Sequence, residues 1–114
     1  MRTAIADTRQ ALEEATASIA ALTGRLAVLE ELAADPKAPL EQARFAVRDA
    51  QRLFDMLSPG VPAEHGQRLA ALAQRLNAVA KALATPRPNY WELHNELAQV
   101  RERTRETILA MRNR

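Results

Sequence analysis

The stretch that decides the fold is residues 3–34, TAIADTRQALEEATASIAALTGRLAVLEELAA. Apolar residues recur in it every seven positions, and further apolar residues follow at a companion position between them. The two sets are Ile5, Leu12, Ile19, Leu26 and Ala33, and Ala15, Leu22 and Leu29. A heptad pattern of this kind is typical of helices that pack through one face. The stretch therefore predicts one long, heptad-patterned helix.

Prolines divide the chain into four segments. All 6 prolines fall in three pairs, which are Pro36 and Pro39, Pro59 and Pro62, and Pro86 and Pro88. Proline removes a backbone donor and clashes with the preceding turn, so it interrupts a helix but is well tolerated at the first helical position. We therefore predict helices at about residues 3–34, 39–57, 62–84 and 89–112.

Each of the three later segments carries apolar residues at alternating steps of three and four. The stripes are Leu40, Ala43, Val47, Ala50, Phe54 and Leu57; Leu69, Leu72, Leu76, Val79 and Leu83; and Leu93, Leu97, Val100, Thr104, Ile108 and Met111. No segment shows the period-two alternation of a strand. Short connections favour antiparallel neighbours, so we predict an all-α fold, an antiparallel up-down-up-down four-helix bundle, formed by residues 1–114 as a single domain.

The first helix is overlong for such a bundle. It should reach about 45 Å, against about 30–35 Å for the others, at 1.5 Å per residue. Two alternatives stay open at this point. The helix breaks near Gly24, because glycine is a poor helix former, or its heptad seam projects beyond the bundle and contacts another chain.

Composition narrows the classes of function. The chain has 114 residues, of which 47% are hydrophobic and only 4% aromatic, and a net charge of +2. With 0 cysteines it can form no disulfide and no thiolate site. Its two histidines lack the Glu-x-x-His spacing of helical metal sites, and its 3 glycines are scattered. We expect a cytoplasmic protein with no catalytic site, cofactor, metal, small-molecule substrate or membrane span.

The outer face of the second helix, residues 41–56 (EQARFAVRDAQRLFDM), is the best candidate for a binding surface. Arginines recur there every four residues, and a phenylalanine and a methionine point away from the apolar stripe. Arg, Met and aromatic residues are enriched in protein interfaces. We predict a partner-binding surface formed by Arg44, Phe45, Arg48, Arg52 and Met56. The alternative is a solvated face on which Glu41 and Asp55 screen the arginines and a neighbouring helix covers Phe45.

Residues 87–94, RPNYWELH, have a structural and a functional interpretation. Asn89 is a good N-cap and Glu92 stands three positions behind it, so the stretch predicts a helix start. Arg87 and His94 are separated by six residues, and this spacing resembles the Arg/His pair of HEPN-type ribonucleases. That resemblance implies a catalytic pair in a dimer cleft. The proline after Arg87 departs from the family pattern, and Arg87 precedes the predicted helix.

The sequence thus favours a non-enzymatic helical interaction or structural protein. We expect it to work as a homo-oligomer or as a small subunit of a larger assembly, through a protein partner or self-association. The alternative is a nucleic-acid-associated helical subunit that holds the phosphate backbone without reading bases. Its contacts would come from Arg44, Arg48, Arg52, Arg68 and Arg75. A HEPN-like ribonuclease is the third hypothesis.

Overall fold

The structure, a computed structural model, describes residues 2–31, 37–57 and 63–112, and these residues form four α-helices and no strand. Helix α1 spans Arg2–Glu31, α2 Lys37–Leu57, α3 Ala63–Leu83 and α4 Tyr90–Arg112. Side chains are described for residues 9–29, 40–57 and 63–111. The prediction of an all-α fold is confirmed.

The start of α2 differs by two residues from the predicted one at about Pro39. Helix α2 begins at Lys37 and not at Pro39, so Pro39 lies inside the first turn. The amides of the first turn have no carbonyl partner within the helix, and a proline there therefore costs no hydrogen bond. The predicted end of α1 near residue 34, and the connections containing Pro36, Pro59 and Pro62, lie outside the described residues.

Helix α1 runs without interruption through Gly24, so the first of the two alternatives, a break there, does not occur. Thr23 and Gly24 are both weak helix formers. The neighbouring side chains of Leu22 and Leu26 are fully buried, however, and a kink would pull them out of the core. Packing against the other helices thus outweighs the local propensity. The helix has 30 residues and spans about 45 Å of a molecule whose long axis measures 50 Å.

The four helices enclose one apolar core. Helix α1 packs against α2 and α4, and α3 packs against the same two helices, so the contacts form a closed cycle consistent with a four-helix bundle. The predicted stripes of α2, α3 and α4 are all buried, as are the described members of the α1 pattern: Leu12, Ala15, Ile19, Leu22, Leu26 and Leu29. The side chains of Ile5 and Ala33 lie outside the described residues.

Buried threonines fit into this core without leaving an unpaired hydroxyl. Thr104 is fully buried at the centre of the α4 stripe, and its hydroxyl donates to the Val100 carbonyl at 2.7 Å. Thr23 and Thr107 donate in the same way to the carbonyls four residues earlier, at 2.8 and 2.9 Å. A helical threonine can satisfy itself like this, and its methyl group can then pack as an apolar side chain would.

Contacts between helices place particular residues at the same level of the molecule. Arg9 of α1 donates to the Met111 carbonyl of α4 at 3.1 Å, and the Gln51 amide of α2 lies 3.4 Å from Asn77 of α3. Because Arg9 is level with Met111, the part of α1 that precedes Arg9 continues for about 10 Å beyond that level. Helix α1 therefore extends past Met111 of α4.

Candidate interaction surface

Helix α2 has two sharply different faces. Its buried stripe, from Leu40 to Leu57, faces the core, and the opposite face carries most of its charged residues. At 100° per residue, Phe45 and Met56 lie more than 120° from the centre of the buried stripe. The bundle core is therefore complete without them, and neither side chain is needed to hold α2 in place.

Both of these side chains are exposed. Phe45 is 75% exposed and Met56 is 66% exposed, the largest values among the large hydrophobic residues whose side chains are described, where Trp91 follows at 64%. None of the four described helices covers Phe45, although such cover was the structural alternative to a binding role. Two large apolar side chains on one face of one helix leave apolar surface in water, at a cost that a partner would remove.

The arginines predicted for this surface divide into two kinds. Arg48 and Arg52 are exposed on the same face as Phe45. Arg44 is half-buried instead, and its Nε donates to the Leu83 carbonyl at 2.7 Å. That carbonyl belongs to the last turn of α3, where no helical amide remains to pair with it. Arg44 thus joins α2 to the end of α3 and does not lie on the open surface.

Sequence reasoning did not include Asp49 in the surface. Its carboxylate lies 2.7 Å from Arg52 Nη2, with 72% of the Arg52 side chain and 42% of the Asp49 side chain exposed. An exposed pair of this kind adds little to stability, because water screens both charges. The spacing of three residues was the available signal, since it places the two side chains on one helical face.

We refer to Phe45, Asp49, Arg52 and Met56 as the α2 seam. These positions follow one another at steps of four, three and four, the spacing of a coiled-coil contact face. Ala46 and Leu53 flank the seam on one side, where they are half-buried against the core. Arg48 and Asp55 flank it on the other side and are exposed. The seam thus has an apolar flank and a charged flank.

A second basic surface lies between α3 and α4. Arg68, Arg75, Arg103 and Glu106 line a groove of about 220 Å³ there. Arg75 donates to Glu96 and, through Nη2, to Gln99 Oε1 at 2.6 Å. The hydrogen bond to Glu96 raises the pKa of Arg75 above its ordinary value, because the carboxylate stabilises the charged guanidinium. Arg75 therefore ties α3 to α4, and Arg68 and Arg103 are the exposed cations of the groove.

The stretch that contains Arg87 and His94 is a helix start, as predicted. The Glu92 amide donates to Asn89 Oδ1 at 3.2 Å, and the Leu93 amide donates to the Asn89 carbonyl at 3.1 Å. Arg87 lies in the connection before α4 and is exposed, whereas His94 lies in the helix and is half-buried. The two residues of the ribonuclease-like spacing thus belong to different backbone elements.

Two structural findings concern other classes of site. Among the described residues, no group of three His, Asp or Glu side chains could hold a metal ion. None of the helices, over the residues described, is both long and apolar enough to cross a membrane.

No protein-family model matches the chain, and no curated protein or solved structure matches it significantly.

Proposed function

We propose that this protein is a non-enzymatic helical interaction protein that works as a homo-oligomer or as a small subunit of a larger assembly. The observation that carries the proposal is the exposure of Phe45 and Met56 on one face of α2. Arg48 and Arg52 lie beside them on that face. Aromatic, Met and Arg side chains are the types most enriched at the centres of protein interfaces.

The proposed architecture supports this role. We infer an up-down-up-down bundle, and three contacts support it: Arg9 with Met111, Arg44 with Leu83, and Gln51 with Asn77. Arg9–Met111 and Arg44–Leu83 each join an early part of one helix to a late part of its neighbour, as antiparallel helices require. Gln51–Asn77 lies further along α2 and further back along α3 than Arg44–Leu83, so it fits the same antiparallel register. In such a bundle all four stripes point inward, and the outer face of α2 has no structural task. Its apolar residues are then available to a partner.

The heptad pattern of α1 offers a second route to assembly. The helix extends beyond the level of Met111, and the heptad pattern of the sequence continues into that part. A projecting apolar seam would pair with another helix, because coiled-coil association buries the seam on both chains. We therefore propose α2 as the primary contact surface and the projecting end of α1 as a secondary one.

Affinity capture with a matched pair of variants tests the proposed function. The tagged protein, the Phe45→Ala/Met56→Ala double variant and a Leu109→Ala control are used to capture partners from host lysate, with and without nuclease. Leu109 is 47% exposed on α4, so its removal tests a general loss of apolar surface. We expect a defined protein, or a second differently tagged copy of this chain, to be retained by the wild type and the control after nuclease treatment. The double variant should not retain this partner. Retention of the same partner by all three proteins would contradict the proposal.

A second function, binding of the nucleic-acid phosphate backbone, is favoured by the groove between α3 and α4. Arg68 and Arg103 are exposed beside it, and Arg75 completes its basic lining. Three of the five arginines first considered for this role form hydrogen bonds within the chain, namely Arg44, Arg52 and Arg75. Nucleic-acid affinity that falls steeply with salt, and falls further in an Arg68→Ala/Arg103→Ala variant, would support this function. Affinity independent of salt would exclude it.

A further inference from the structure

The residues of the α2 seam are arranged so that the surface can complement itself. Phe45 and Met56 stand at its two ends, and Asp49 and Arg52 stand between them at equal distances from the midpoint. When a second copy of α2 is turned end for end, Phe45 lies opposite Met56 of the second copy. In the same register, Asp49 lies opposite Arg52 of the second copy, and the reverse pairs form as well.

We propose that the α2 seam binds the same seam of a second copy of this chain, antiparallel, about a two-fold axis at the level of Ala50 and Gln51. This inference rests on the proposed function, and it specifies the partner and the contact. A two-fold contact of this kind joins the same patch on both subunits, so each favourable pair occurs twice. The dimer has an apolar pair at each end and two opposite-charge pairs in the middle.

The step pattern of the seam suits this geometry. Steps of four, three and four place the seam residues in one line along α2, as the contact positions of a coiled coil require. The contact positions of a coiled-coil helix alternate between the a and d types, and in an antiparallel pair each a position faces a d position of the second helix. Phe45 then packs on Met56 of the second copy, about 16 Å from the equivalent pair at the other end of the contact.

The flanks of the seam agree with the same register. Arg48 and Asp55 lie on one flank and are both exposed. In the antiparallel dimer, Arg48 approaches Asp55 of the second copy, which gives a further opposite-charge pair on each side of the axis. Ala46 and Leu53 on the other flank meet their counterparts with apolar surface that is already half-buried. The pairing is therefore favourable across the full width of the contact.

Charge also selects the orientation. In a parallel pair, Asp49 would face Asp49 of the second copy and Arg52 would face Arg52. Like charges in direct opposition are repulsive and suppress the wrong arrangement. In the free chain, Arg52 forms its ion pair with Asp49 of its own helix at 2.7 Å, and in the dimer the same two groups exchange partners across the axis.

A charge-exchange experiment tests the proposal. Sedimentation equilibrium is measured from about 1 µM to about 1 mM, the range of weak protein association. We expect the wild type to dimerise within it. Arg52→Asp and Asp49→Arg each place like charges across the axis, so each variant alone should raise the dimer Kd by about tenfold or more. In a mixture of the two variants, both central pairs are again opposite in charge, and dimers should return.

Matched controls make the same charge changes on α4. Arg105→Asp and Glu102→Arg lie on exposed positions of that helix and should leave the wild-type Kd unchanged. Circular dichroism is used to check that each variant is folded. A wild type that stays monomeric overturns the proposal, as do variants that dimerise like the wild type. A mixture that stays monomeric also overturns it.

Disulfide trapping tests the orientation independently. The chain has 0 cysteines, so each engineered thiol is unique. In a mixture of Phe45→Cys and Met56→Cys proteins, one end of the contact joins the two thiols and the other end keeps its Phe and Met. We expect the mixed disulfide to form faster than either self-disulfide. Preferential self-disulfides of Phe45→Cys would indicate a parallel contact and would overturn the proposed geometry.

The outcomes separate this inference from the proposed function. If the wild type is monomeric but a different protein is captured in a way that depends on Phe45 and Met56, the interaction function stands and the homodimer is wrong. If neither self-association nor such capture is observed, both are wrong. If the charge exchange restores dimers, both are supported.

Discussion

Substitution of Gly24 by alanine tests whether α1 is one continuous helix. Gly24 lies in the interior of α1 on the exposed side, and its backbone does not have a positive φ. A Cβ added there would meet nothing within 4 Å. Alanine at position 24 therefore has its full helix-propensity advantage over glycine, and its Cβ makes no steric clash. Gly24→Ala should stabilise the protein.

The expected size follows from helix propensity. Glycine in a helix interior is about 0.8–1.0 kcal/mol less favourable than alanine, and replacement at a compatible site yields about 0.4–1 kcal/mol in proteins. We expect the free energy of unfolding to rise by about 0.5–1 kcal/mol. For a chain of 114 residues that corresponds to an increase in Tm of about 2–4 °C.

The assay is urea unfolding followed by circular dichroism, with Ala20→Gly as the matched control. Ala20 lies one turn earlier in α1 and is also exposed, so Ala20→Gly should destabilise the protein by about the same amount. The Ala20→Gly/Gly24→Ala double variant should have a free energy of unfolding close to that of the wild type, because both substitutions act through the helix propensity of one residue. A loss of stability in Gly24→Ala would refute the reasoning, since only a broken or left-handed backbone at Gly24 disfavours alanine.

The remaining predictions concern the core, a helix cap and a helix junction. Thr104→Val should leave the free energy of unfolding unchanged or raise it by up to about 1 kcal/mol, since the Thr104 hydroxyl pairs only with the Val100 carbonyl of its own helix. Thr104→Ala should lower the free energy of unfolding by about 1–3 kcal/mol through lost packing. Urea titrations in which Thr104→Val is less stable than Thr104→Ala would contradict this. Asn89→Ala should cost about 1 kcal/mol because the Glu92 amide loses its cap, whereas Asn95→Ala, at an exposed position within α4, should be neutral or stabilising in the same thermal melts. Arg44→Ala should cost about 1–3 kcal/mol by leaving the part-buried Leu83 carbonyl unpaired, and equal stabilities of Arg44→Ala and an Arg48→Ala control in chemical unfolding would show that the contact contributes nothing.

Periodicity predicted the four helices and most of the core among the described residues. The residues of the stripes read from α2, α3 and α4 are all buried, although the structure also buries His65 and Thr107 outside them. Asn89 caps α4 as its side-chain chemistry indicates. Both results follow from local rules. A helix turns once in 3.6 residues, so the spacing of apolar residues determines which face is buried. A capping side chain bonds only to its own first turn.

Local rules did not predict where α2 starts or whether α1 is continuous. Pro39 was expected to begin a helix, yet the chain is already helical at Lys37. Gly24 was open to a break, yet α1 continues because Leu22 and Leu26 are held in the core on either side of it. At Gly24 the helix propensity of one residue is worth about 1 kcal/mol, and the packing of Leu22 and Leu26 outweighs it. At Pro39 no helical hydrogen bond is lost, because the amides of the first turn have no carbonyl partner within the helix.

Some properties of the candidate surface follow from the sequence, and others depend on the tertiary structure. The spacing of Phe45, Arg48, Arg52 and Met56 by itself determined that they share the side of α2 opposite its apolar stripe. Only the tertiary structure decided that none of the described helices covers Phe45, and that Arg44 donates to the Leu83 carbonyl instead of lying on the open surface. The physical reason is that a face is set by rotation about one helix axis, whereas exposure depends on where the other three helices lie. Those positions are set by how all four apolar stripes pack together.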